Sequence, residues 1–180
     1  MREPLLFFTE TAAETIEAAT ARIFPSDELG PGAIEARVVI YIDRALAGPY
    51  ASLGDLYRRA IAGLDAGSQA RYGARFAALP AEAQDTMLSV MERDELAERG
   101  APAGFMPLLV RHTREGMFCD PAHGGNRDLV GWRLLGYSGI HRVWHHDEQA
   151  IGAAIRPRPL TTMADDRFGI DVRDEARGQG

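Results

Sequence analysis

The sequence predicts an all-α protein, an irregular bundle of five or six helices followed by a Gly-rich, largely non-regular C-terminal third. Three observations carry that expectation. Apolar residues recur at three- and four-residue spacing through five successive stretches between residues 9 and 118. The one β-like run, "VVIYI" at 38–42, has no pairing partner nearby. Beyond residue 118 the periodicity fades, with glycine at 124, 125, 131, 136 and 139 and proline at 157 and 159.

The first helix is expected in "TETAAETIEAATARIF", with Ala12, Ile16, Ala19 and Ile23 on one face and Thr11 with Glu14 as a capping box. "PSDELGPG" is a loop by its prolines and glycines. "AIEARVVIYIDRAL" aligns Ile34, Val38, Tyr41 with Ile42, and Ala45, and reads as helix, with a buried strand as the alternative. A third helical run places Leu53, Leu56, Tyr57, Ala60 and Leu64 in phase and continues to Tyr72, Phe76 and Leu79, with Gly63 and Gly67 as points of bending. Pro80 suits the first turn of a fourth helix that carries Ala83, Met87, Val90, Met91 and Asp94 and stops at Gly100. A fifth presents Phe105, Leu108, Leu109 and His112, with Gly116 as its terminator.

Composition removes several function classes. A chain of 180 residues is one domain of ordinary size and buries enough surface to need no metal or disulfide. Its net charge of −6 leaves no basic surplus to neutralise phosphates, which argues against nucleic acid. All twenty Lys and Arg positions are arginine, so no lysine exists for a Schiff base or a P-loop. Cys119 is the only cysteine, which excludes an intrachain disulfide. The segment "MREPLLFFTETAAE" has neither an export-type apolar core nor paired arginines, and no apolar run approaches a membrane span. These features point to the cytoplasm, or to the periplasm if a partner carries the signal.

The chemistry-bearing residues cluster late. His141 and His145 stand four apart, beside His146, but without the glutamate of a zinc-hydrolase motif. Cys119 and His123 invite a nucleophile–base reading, against which Cys119 is a small buried hydrophobe. Asp120, Asn126 and Asp128, around Pro121 and the Gly124–Gly125 pair, fit turn chemistry. Trp132, Tyr137 and Trp144, interleaved with Arg127 and Arg133, are residue types enriched at protein–protein hot spots, and equally suited to capping a helical core.

The stretch "TREGMFCDPAHGGNRDLVGWRLLGYSG" resembles the signature of the gluconate 2-dehydrogenase subunit 3 family. The resemblance rests on Thr113, Glu115-Gly116, Asp120-Pro121, Gly124-Gly125-Asn126, Gly131-Trp132 and Gly136-Tyr137-Ser138-Gly139, with His123 where the family often has an aromatic residue. Upstream, Pro25, Gly32-Ala33 and Tyr41-Ile42-Asp43 agree, so that the likeness covers roughly residues 8 to 140. It implies a non-catalytic small subunit over residues 1–140; the polar, broken tail, 141–180, by its composition either stays mobile or, as expected here, lies on a partner. That partner would be a large FAD-dependent sugar dehydrogenase subunit of the glucose-methanol-choline type, whose maturation, solubility or stability depends on this chain. No cofactor is expected here; FAD would sit in the partner, and a cytochrome c would accept the electrons. The implied partner-binding residues are Asp120, Pro121, Gly124, Gly125, Asn126, Arg127, Asp128, Trp132, Arg133, Tyr137 and Trp144, with Trp132 as the anchor. The competing readings are a free-standing hydrolase or lyase using His123 and Asp120, and a transient chaperone for the flavoprotein.

Overall fold

Helix α1 spans Glu10–Ile23, and its N-cap lies two residues before the expected Thr11. Thr9 is its N-cap, with its hydroxyl accepting from Ala12 N at 3.2 Å; such a cap is worth about 1 kcal/mol. Ile16 and Ala19 are buried as their spacing requires, while Ala12 and Ile23 pack at the core's edge. The computed structural model describes residues 3–93, 104–137, 139, 146, 149–153 and 160–163. Trp144, the His141/His145 pair, Gly100 and most of the 141–180 tail lie outside the described residues.

"VVIYI" is helical: α2 runs Val38–Ala47. It begins later than its apolar spacing implies, because Arg37 takes a left-handed conformation (φ 56°) that breaks the helix at that point. Ile34 is consequently exposed rather than in phase with the core. A short 3-10 turn, Ala51–Leu53, leads into α3, Gly54–Tyr72, which continues through Gly63 and Gly67. It ends where Gly73 adopts φ 74° and its N–H bonds Gln69 O. Phe76 therefore opens a separate 3-10 turn, Phe76–Ala78, with Leu79 as the extended residue that follows it; neither belongs to the third helix, though both are buried.

Helix α4, Ala81–Glu92, follows Pro80, and α5 covers Phe105–Phe118. Gly116 does not terminate α5. A Cβ at that position would stand 3.0 Å from Val38 Cγ1, so the glycine admits α2 rather than ending the helix. Two 3-10 turns, Pro121–His123 and Arg127–Leu129, then lead to the five-residue α6, Val130–Leu134. No strand occurs among the described residues, and none of their helices is long and apolar enough to cross a membrane.

The core sits where α1, α2 and α5 meet, closed by α3 and α4. Ile16, Ile42, Leu46, Tyr57, Leu64, Phe76, Met87, Phe105, Leu109 and Met117 are its most enclosed side chains. Asp43 falls on the buried face of α2, yet is 1% exposed. Its carboxylate accepts the backbone N–H groups of Leu6 (2.6 Å), Phe7 (3.0 Å) and Phe8 (2.8 Å), and so fastens the segment preceding α1 to the bundle.

Candidate functional site

The segment after α5 folds back around one buried asparagine. Asn126 N donates to Gly116 O (2.7 Å), its Nδ2 to Cys119 O (2.9 Å), and its Oδ1 accepts from Gly131 N (2.8 Å). Leu129 N closes the turn on Asn126 O at 2.9 Å. Every polar group of this residue is satisfied, as full burial demands. Asn126, Asp128 and Leu129 take left-handed backbone conformations, with φ of 45°, 54° and 60°. Asparagine and aspartate tolerate that region better than leucine does.

Two glycines let the backbones touch. A Cβ on Gly125 would collide with Gly116 O, and one on Gly131 with Met117 O. Trp132 is 5% exposed, donates Nε1–H to Phe118 O at 2.9 Å, and meets the Tyr137 ring edge-on at 4.9 Å. Of the two expectations for Trp132, the ring takes the place of a core cap, packed into this chain's own interior. Asp120 does shape turns, through Oδ1 to Ala122 N (2.9 Å) and Oδ2 to Met163 N (2.7 Å). Asp128 makes no such bond among the described residues; it is solvent-facing, with Oδ2 3.9 Å from Arg127 Nε.

Four of the residues expected at a partner surface do face outward, joined by two leucines. Arg127, Asp128, Arg133 and Tyr137 are exposed, as are Leu134 and Leu135, which the sequence reading did not single out. Leu135 is 62% exposed. Leu134 Cδ1 lies against Gly30, the neighbour of the 78% exposed Leu29. A rigid frame thus carries an apolar rim bordered by arginine.

Beside the frame lies a cleft of about 590 Å³ lined by Tyr41, Arg44, Tyr50, Glu115, Cys119 and His123, among others. Glu115 is its centre, accepting from Tyr41 Oη (2.8 Å), Tyr50 Oη (3.3 Å) and Arg111 Nε (2.8 Å). Burial alone would raise the Glu115 carboxyl, but the Arg111 guanidinium and the Tyr41 hydroxyl outweigh it and hold it below the ordinary range. Burial pushes the Cys119 thiol up to about 11, away from a thiolate nucleophile. His123 N donates to the Asp120 carbonyl at 3.0 Å, but among the described residues neither the Cys119 thiol nor the Asp120 carboxylate is hydrogen-bonded to the His123 ring, and both carboxylate oxygens of Asp120 accept from other backbone amides. Among the described residues, no group of three His, Cys, Asp or Glu is placed to hold a metal.

His112, next to this cleft, is fully enclosed; Nδ1 is 2.8 Å from Tyr57 Oη and the Tyr50 ring stacks on it at 4.8 Å. Burial lowers its pKa below the ordinary 6.5, so the folded state holds it neutral and the unfolded chain takes the proton first. Stability from this group is complete above 6.5 and is lost as pH falls below it. The urea midpoint is therefore expected to fall as the pH drops below 6.5, and His112→Gln to flatten that dependence. An unchanged slope in the variant would remove His112 as the cause.

The sequence profile of the family described as gluconate 2-dehydrogenase subunit 3 matches residues 10–139. That span begins at α1 and ends just past the frame. No curated protein and no solved structure matches the chain.

Proposed function

Because the chain belongs to the gluconate 2-dehydrogenase subunit 3 family, we propose that it is the non-catalytic small subunit of an FAD-dependent sugar dehydrogenase. In this reading its partner is a catalytic subunit of the glucose-methanol-choline type, which this chain keeps mature, soluble or stable. Family membership supports a dehydrogenase complex as the setting. The observation that carries the docking role is the apolar rim of Leu29, Leu134, Leu135 and Tyr137, left open to solvent on a frame whose polar groups are internally satisfied. A rim of large apolar side chains held by so ordered a frame is the kind of surface that a second protein covers. The buried members of the segment, Gly125, Asn126 and Trp132, would then set the shape, while Arg127, Arg133 and Tyr137 would meet the partner. Electrons would leave the partner's FAD for a cytochrome c, and the complex would work in the cytoplasm or follow its partner's export signal.

The test is affinity purification of the chain from its native cell, with an absorption spectrum of the eluate. A stoichiometric large subunit with flavin absorption is expected, and Leu135→Asp is expected to weaken its retention by about 2 kcal/mol, as loss of an interface anchor does. His123→Ala should leave it unchanged. A colourless chain eluting alone would overturn the reading.

A further inference from the structure

A second concavity, a groove of about 890 Å³, opens between residues 3–8, α1 and the turn that begins α2. Its floor is apolar, built on Leu5, Phe8, Ala13, Val39 and Ile40, with Ile34 standing exposed at its lip. Its rim is acidic. Glu3, Glu10, Glu14, Glu17, Glu35 and Asp128 line it with two cations, Arg37 and Arg127, so six carboxylates less two guanidiniums leave a formal −4 on the lining, with Arg44 reaching Glu3 and Arg75 reaching Glu14 from outside it.

Glu10, Glu14 and Glu17 fall at i, i+4 and i+7 on α1, where like charges repel along one stripe. Glu14 has a distant arginine, Arg75 NH1 at 3.4 Å, but Glu10 and Glu17 have no side-chain partner among the described residues. The opposite wall is tied to the docking frame: Arg127 N donates to Ala36 O at 3.1 Å. A ligand in the groove therefore touches residues that also position the segment proposed above as the docking surface.

We infer that this groove receives a basic segment of the catalytic subunit, whose arginines or lysines meet Glu10, Glu14 and Glu17 while its apolar side chains cover Phe8, Val39 and Ile34. The inference rests on the small-subunit reading. Charge complementarity selects this occupant. A second copy brings its own −6 and is repelled, and nucleic acid is excluded by the same sign.

The experiment measures the Kd of the complex between this chain and the catalytic subunit with which it co-purifies, as a function of NaCl concentration. Glu10 and Glu17 are exposed, so the E10Q/E17Q and E10R/E17R pairs should melt as the wild type does. The reversal pair is expected to weaken binding by about thirtyfold at low salt and the neutral pair by about fivefold, both differences shrinking toward about twofold near 1 M. Leu135→Asp should weaken binding with the wild-type salt slope. If both charge pairs bind as the wild type does while Leu135→Asp releases the partner, the groove inference falls and the docking reading stands. If Leu135→Asp also has no effect, or no catalytic subunit co-purifies, both fall. A photo-crosslinker at Ile34 gives the second readout. An adduct on an Arg- or Lys-bearing segment of the catalytic subunit supports the inference, and one within this chain, with a second copy or on an acidic segment overturns it.

Discussion

Asp43→Ala is expected to lower the stability of the chain by about 3 kcal/mol, because charge-assisted bonds to backbone amides are lost together. The side chain is 1% exposed, and no arginine pairs with it among the described residues; its charge is held by the three N–H groups of Leu6, Phe7 and Phe8. Removing it leaves a buried Phe8 amide without an acceptor and frees the segment that walls the proposed groove. The effect should be graded by atom. Oδ1 serves Phe7 and Phe8, whereas Oδ2 serves Leu6 alone, so Asp43→Asn retains the inner pair and should lose only about 1 kcal/mol. Urea unfolding gives the totals, and hydrogen exchange at Leu6 to Phe8 locates them. Equal losses from the two variants would mean that side-chain volume, rather than the acceptor oxygens, holds the segment.

Asp43 entered the sequence reading only within the Tyr41-Ile42-Asp43 likeness, and its structural role was not legible there. Val39, Ile42 and Leu46 place the buried stripe of α2, and Asp43 sits within it, a carboxylate where only a partnered one survives. The partner is a run of backbone amides 35 to 37 residues away, which no local pattern encodes. The helices themselves were readable wherever apolar period and burial coincide, as at Ile16, Tyr57 with Ala60 and Leu64, and Leu109 with His112. Ile34 and Phe76 are in phase by sequence but out of the helix, because Arg37 and Gly73 turn left-handed between them and their neighbours. Gly116 shows the ambiguity of glycine near a helix end. A stop and a close approach look alike locally, and here the approach of α2 decides.

The signature segment was readable as turn-forming but not as to which side of it faces inward. Trp, Tyr and Arg composition suits a partner and a core equally. Only the Trp132 Nε1–Phe118 O bond and the glycine contacts assign Trp132 to the inside and Leu134 and Leu135 to the outside. The short α6 hides the distinction, since five residues are too few to show a helical period.

Gly131→Ala separates the frame from the face it presents. The added methyl would overlap Met117 O and stand 2.9 Å from Phe118 Cδ1. Met117 O belongs to the backbone of α5 and cannot swing aside as a flexible side chain would. The strain must be relieved by moving α6, which breaks the Gly131 N–Asn126 Oδ1 and Trp132 Nε1–Phe118 O bonds together. A cost of about 3 kcal/mol, the upper end for overpacking, is expected. Because α1 to α5 bury their core without α6, helical circular dichroism should persist while tryptophan emission shifts to the red as Trp132 meets water. Retention of the catalytic subunit should be lost, although no residue proposed to contact it has changed. Leu135→Asp is the complementary case, losing the partner with emission unaltered. If Gly131→Ala keeps both its emission and its partner, α6 has room that the backbone contact denies, and the frame is not what positions the docking face.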